Sequence, residues 1–446
     1  MVTELVKAEN NYHAAFREMR HARPTAAWAE LVRGSAMDRF EQLGFPTVSA
    51  EDWKYTNLAP FLRDPLTPIV SSETSDDLRE QIGSSGYVET QDTHVVLVNG
   101  YFNSGLSSGK GLQNVVAIDL FDAIADVRYG KIAREYLARN ANYDANGLTA
   151  LNTAFLQSGL FLLIPRNVKL EAPLQITFVA DSKEPRSANF PRVLIVSEEN
   201  SSATVIENYV SAGTISHFTN AVVEIVLLDG ARLEHYRVQR EPHNAIHLAT
   251  TAAELGRGSS YDTTSITMGG RLSRHDISVV MDNEGAECWV DGLYIVGTDQ
   301  HADTHSVIDH KQPYCTSRQL YKGILDGNGR AVFNGKVFVR HGAQKTDAMQ
   351  TNKNLLLSNR ARVDTKPQLE IFADDVKCAH GAAVGQLEPE ELFYLQTRGL
   401  NPTLARNLLT YGFAEEVIGK IKVDSIRTQL DQAVLNQIHA QLEQSP

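Results

Sequence analysis

Apolar and polar positions divide the chain into three textures. Over the first ~70 residues the apolar positions recur at helical spacing. Pro24 opens a segment in which Trp28, Leu31, Val32, Met37, Phe40 and Leu43 follow that spacing loosely, and Gly44 with Pro46 closes it. Ser49, with Asp52 three residues on, is a second start signal ahead of Trp53-Lys54-Tyr55-Thr56. Pro60, Pro65 and Pro68 then break any long helix, and Ser71-Ser72-Glu73-Thr74-Ser75 has the composition of an exposed connection. A strand is expected at Val95–Val98 and further helix from roughly Leu120 to Ala154, interrupted near Asn140 to Gly147.

From about Phe161 to Val384 the pattern changes. Short runs rich in Val, Ile, Thr, Tyr and Phe alternate with turn residues, as at Leu174–Val179, Val193–Val196, Val205–Val210 and Val222–Leu228. Ile277, Val279 and Met281 alternate with Asp276, Ser278 and Asp282 at period two. Turn glycines Gly230, Gly258 and Gly285 are 28 and 27 residues apart, and Asp326-Gly327-Asn328-Gly329 adds a further turn. Repeats of that length with short strands suit a solenoid. The same pattern also suits an antiparallel sandwich or jelly roll, because the repeats share no residue motif. The last 60 residues return to helix. Asn401-Pro402 supplies a cap and a first-turn proline, and Ile426, Leu430, Val434, Ile438 and Leu442 recur every four residues. The expected organisation is a mostly helical region over 1–155, a β core over 156–385 and a helical region over 386–446.

Composition narrows the function. Among 446 residues, 42 Lys+Arg face 54 Asp+Glu for a net charge of -12, which disfavours nucleic-acid binding. The longest apolar run, Leu160 to Ile164, is far short of the about 20 residues that span a bilayer. Glu4, Glu9, Asn10 and Asn11 interrupt any apolar signal core, so a cytoplasmic protein is expected. Three cysteines, Cys288, Cys315 and Cys378, include no CxxC and support neither a disulfide framework nor a zinc ribbon. GxxxxGK[ST], GxGxxG before a helix and HExxH are all absent.

Two clusters carry ligand chemistry. His301, His305 and His310 are interleaved with Asp299, Asp303 and Asp309, a donor set that suits a divalent metal. On a strand, residues four apart lie roughly 13 Å from each other, so one tight site would need a turn within the segment. His235, His243 and His247 meet the same objection. Cys378-Ala379-His380 places a thiol and an imidazole two apart, on one side of an extended segment. The pair falls short of the four ligands an iron–sulfur cluster commonly takes, and the remainder would come from another chain. The bland reading is a buried cysteine beside a turn histidine, with Cys288 and Cys315 as small core residues.

The segment Lys366-Pro367-Gln368-Leu369-Glu370-Ile371-Phe372-Ala373-Asp374-Asp375-Val376-Lys377-Cys378-Ala379-His380-Gly381-Ala382 closely resembles the SufB/SufD family of SUF iron–sulfur cluster assembly proteins, in its SufD branch. Gly385-Gln386-Leu387, the Leu392–Gly399 run and Ala405-Arg406-Asn407-Leu408-Leu409 fit the same branch. Glu51-Asp52-Trp53-Lys54-Tyr55-Thr56, Asn334-Gly335-Lys336-Val337 and Thr351–Leu357 fit both branches. The resemblance spans roughly residues 50 to 420. SufB-like chains carry more cysteines and a different segment at 378–382.

The resemblance implies a mainly β fold, a right-handed parallel β-helix flanked by N- and C-terminal helices. It implies a non-catalytic scaffold that pairs with SufB through the later strands and meets the ATPase SufC through the C-terminal helices. His380 is implied as a metal ligand at the SufB interface, with Cys378 in a less defined role. The iron–sulfur cluster would be transient and shared with SufB, with none held tightly by the isolated chain, which could form a homodimer. The rivals are a β-helix polysaccharide lyase and a SufB-type chain holding a cluster by itself.

Overall fold

The computed structural model describes residues 12–442, apart from 21, 22, 24, 64, 72, 75–77 and 84; the side chains of 81 and 436–442 lie outside the description. Residues 4–11, the helix start expected at Pro24, Ser72 and Ser75, and the side chains of Ile438 and Leu442 therefore fall outside it.

The β region is a parallel solenoid of about eight turns. Successive strands alternate between two sheets, so each strand pairs with the next but one in sequence. The first sheet runs from Val116–Asp119 and Leu160–Ile164 to Arg362–Ile371, and the second from His94–Val98 and Leu174–Ala180 to Lys377–Gly385. Rung spacing ranges from 26 residues, Ile246 to Leu272, to 33, Leu160 to Val193. The turn glycines mark this period: Gly230, Gly258 and Gly285 have φ of 71, 60 and 69°, in the left-handed region that side chains disfavour. The antiparallel sandwich is excluded, since every pairing between successive turns is parallel. Strand twist favours the right-handed wind for such crossovers.

Parallel sheets are stable when both faces are covered. Inward residues from both sheets, among them Leu162, Ile195, Val223, Ile277, Val290 and Val337, form one continuous core. Leu160–Ile164 is wholly apolar because Leu160, Leu162 and Ile164 face this core while Phe161 and Leu163 pack outward on Leu120, Phe121 and Ile124. Elsewhere the outer face of the first sheet is covered by the N-terminal region, where Phe16, Trp53 and Phe155 meet Phe218, Leu248 and Leu272. The C-terminal helices cover the second sheet: Val417, Ile418, Ile421, Ile426 and Leu430 pack on Val238, Ile266, Leu293 and Ile324.

The helices expected in the N-terminal region occur at Ala27–Leu43, Leu120–Ala125, Tyr129–Tyr136 and Gly147–Ala154. Ser49 does not act as a cap; Ala50 precedes a short 3-10 turn, Glu51–Trp53. Asn401 does cap its helix, accepting from the Leu404 amide, with Pro402 in the first turn.

Candidate functional site at the open end of the solenoid

Among the described residues the last turn of the solenoid has no strand beyond it: Lys377–Gly385 pairs only with Asp347–Leu356, and Arg362–Ile371 only with Arg330–Val339. No residue of these two terminal strands is buried, whereas the turns before them are largely buried. Val363, Leu369, Val376 and Cys378 pack against the core while remaining half-exposed. Ile371, Phe372 and Val384 stand exposed at the same end. Unpaired parallel edges flanked by apolar side chains form a surface suited to a partner.

Cys378 and His380 occupy this terminal strand. Cys378 lies against the core, and burial pushes its thiol above the ordinary value. His380, two residues on, projects from the same face and is exposed. Among the described residues no group of three or more His, Cys, Asp or Glu could hold a metal, so the pair does not complete a site.

A polar layer lies one turn inside. Gln350 and His380 are partners on neighbouring strands. The Gln350 amide donates to Gln319 Oε1 at 2.7 Å, which also accepts from Ser306 Oγ at 3.2 Å. Gly335 makes room for this layer: a Cβ there would lie 2.3 Å from Gln350 Nε2. Sequence reasoning missed these residues, because a buried glutamine breaks no alternation. The available signal was the 31-residue separation of Gln319 and Gln350, one turn of the solenoid.

The histidine-rich segment has a different role. His301 Nε2 lies 2.9 Å from Thr56 Oγ1, and His305 Nε2 lies 3.0 Å from Asp303 Oδ1. Asp303 Oδ2 accepts from Arg274 and from Thr56, each at 2.6 Å. The Arg274 guanidinium stacks 3.9 Å over Trp53 and also reaches the Asp52 carbonyl. Lys366 pairs with Glu51 at 2.7 Å. Two of these histidines thus belong to a clamp holding the Glu51–Thr56 motif on the first sheet. His310 is buried inside, 2.9 Å from Ser317 Oγ.

His235 and His247 are also interior. His235 contacts Glu207 at 2.9 Å and Tyr261 at 2.8 Å; His247 contacts Glu241 at 2.7 Å and pairs with Arg237. His243 is exposed on an open groove with Arg271 and Arg330. Cys288 and Cys315 are free and buried.

A second exposed surface lies on the C-terminal helices. No residue of Pro389–Thr397 is buried, and Phe393 and Tyr394 are 68% and 56% exposed. Leu404 and Leu408 of the following helix, Pro402–Ile418, extend the patch.

A parallel two-sheet solenoid flanked by helices, with a Cys-x-His pair on its exposed terminal strand, defines a β-solenoid protein with an open-ended surface suited to a partner. Residues 178–413 match the family described as SUF system FeS cluster assembly, SufBD core domain, and residues 6–176 match the SufBD protein N-terminal region. The chain belongs to the SufBD family and functions in SUF iron–sulfur cluster assembly. The N-terminal match begins well before residue 50, where the sequence motifs start. The chain is 34% identical over 412 residues to an iron–sulfur cluster assembly SufBD family protein of Synechocystis, covering 90% of this chain and 89% of that one. It is 31% identical over 407 residues to the iron–sulfur cluster assembly protein SufD of Escherichia coli, covering 89% and 90%. With SufD of Bacillus subtilis it shares 27% identity over 442 residues, covering 95% and 97%. Among the described residues no helix is long and apolar enough to cross a membrane.

Proposed function

We propose that the chain is a non-catalytic scaffold whose open solenoid end pairs with SufB and whose C-terminal helices dock SufC. His380 supplies one ligand to a nascent iron–sulfur cluster, the cargo of the complex, and SufB supplies thiolates opposite it. Cys378 is the lesser candidate, since it lies against the core and turns less toward the opening.

The observation that carries this reading is the placement of His380 on an exposed edge strand, with no complete ligand set around it among the described residues. A neutral imidazole binds iron less tightly than a thiolate. A site divided between two chains opens when the chains shift. Both properties favour building a cluster and releasing it over storing it. Movement of SufC on ATP turnover would supply the shift, because the exposed patch of Phe393, Tyr394, Leu404 and Leu408 follows directly on the terminal strand.

Co-expression of the tagged full chain with SufB and SufC, followed by light scattering of the purified material, tests the assembly. A discrete species containing all three supports the reading. A chain that elutes alone or only as a homodimer contradicts it.

A further inference from the structure

We propose that Gln350 is a positioning residue for His380, fixing the imidazole tautomer so that one ring nitrogen is held protonated toward the interior and the other presents its lone pair at the opening. The inference rests on the ligand role proposed above.

Gln350 and His380 are in register on adjacent parallel strands. Their side chains leave the sheet on the same face, about 4.8 Å apart. That face is inward, because Ala348 and Cys378, two residues before each, pack into the core. Gln350 is only 2% exposed. Its Nε2 is committed to Gln319, whose carbonyl oxygen also accepts from Ser306. Gly335 supplies the space in which the amide lies. The orientation leaves Gln350 Oε1 buried and without a donor among the described residues.

A buried carbonyl oxygen without a donor is unfavourable. The imidazole one turn outward makes no hydrogen bond to it as placed, and turning the exposed ring about its side-chain bonds supplies the N–H. A neutral histidine that ligates through one nitrogen carries its proton on the other, and the acceptor of that proton sets both tautomer and ring orientation. Ser306, Gln319, Gly335 and Gln350 thus form a support beneath His380, drawn from both sheets. The same arrangement gives the Gly335 of the Asn334–Val337 motif a purpose at the site, although it lies in the opposite sheet.

The test uses the isolated full chain with 15N-labelled histidine, the His380 signals being assigned by their loss in His380→Ala. The tautomer ratio is read from the 15N–1H coupling pattern. Removing the acceptor in Gln350→Leu shifts that ratio about fivefold, the scale of one neutral hydrogen bond. Gly335→Ala displaces the amide and shifts the ratio as the leucine does, so the proposal stays testable if Gln350→Leu folds poorly. An unchanged ratio in Gln350→Leu, or in Gly335→Ala if that is the variant that folds, overturns the positioning role. In the complex with SufB and SufC, Gln350→Leu lowers iron affinity about 10- to 100-fold, the usual effect of losing a ligand's outer hydrogen-bond partner. A shifted tautomer with unaltered iron content would sustain the positioning and overturn the ligand role.

Discussion

Thr56 Oγ1 donates to Asp303 Oδ2 at 2.6 Å, joining positions 247 residues apart. The bond closes the clamp through which the N-terminal region is fixed to the solenoid. Burial alone would raise the Asp303 carboxyl, but the Arg274 guanidinium, together with His305 and Thr56, holds it well below the usual carboxylate range.

Asp303→Asn removes the charge that Arg274 faces. Breaking one partner of a buried ion pair costs about 3–5 kcal/mol. The expected outcome is a loss of stability of that order in a denaturant titration, with earlier proteolytic cleavage between residues 43 and 66. Thr56→Val, which removes one hydrogen bond, costs about 1 kcal/mol.

The interior histidines set the acid sensitivity. Burial pushes His310 down to about 4 from an ordinary 6.5, against the opposing charge of Asp309. His275 is likewise held well below its ordinary value, by burial and by Arg237. Between pH 6.5 and 4 the unfolded chain binds protons at His310 that the folded chain refuses. The stabilisation is therefore complete above pH 6.5 and falls as pH drops through that window, by roughly 3 kcal/mol at pH 4. The low-lying carboxylates Asp303 and Glu241 act in the same direction but at lower pH, below the ordinary carboxylate value near 4. Unfolding free energies at pH 7.5, 6 and 5 check this, and His310→Gln flattens the slope.

Aromatic rings in the later turns lie over glycines of the neighbouring strand. Gly292 is in register with Tyr321 and Gly323 with Tyr294. A Cβ on Gly292 would come 2.2 Å from the Tyr321 ring, and one on Gly323 would come 2.1 Å from the Tyr294 ring. Gly292→Ala and Gly323→Ala each destabilise by about 1–3 kcal/mol, the usual range for overpacking, measured as a shift in the unfolding midpoint.

These relationships show where sequence reading stops. The strands, their spacing and the Asn401 cap were legible because alternation, turn glycines and capping chemistry are local. The parallel pairing was not, since the same alternation serves an antiparallel sandwich; only the resemblance at residues 366–382 separated the two. His380 and Cys378 stood out through that motif. Gln350 did not, because an inward glutamine has meaning only once the next turn sits above it. The His301–His310 cluster had metal-like composition, yet Thr56 and Arg274, which engage its residues, come from distant parts of the chain.

The exposed patch on the C-terminal helices gives a separable prediction. Leu408 is 48% exposed and contributes little to the fold. Leu408→Asp and Phe393→Asp leave the unfolding midpoint of the isolated chain unchanged within about 0.5 kcal/mol. Each weakens association with SufC by at least about tenfold, the effect of losing a well-buried interface anchor. Calorimetric or sedimentation titration of SufC against each variant checks the split.

The most direct measurement is the iron and sulfide content of the complex of this chain with SufB and SufC, purified anaerobically with wild-type chain or with His380→Ala. The exposed position of His380 predicts that the variant complex assembles with the same stoichiometry while its iron and sulfide fall about tenfold or more. Equal content in the two complexes would contradict the ligand role of His380 and, with it, a cluster site shared across the open end of the solenoid.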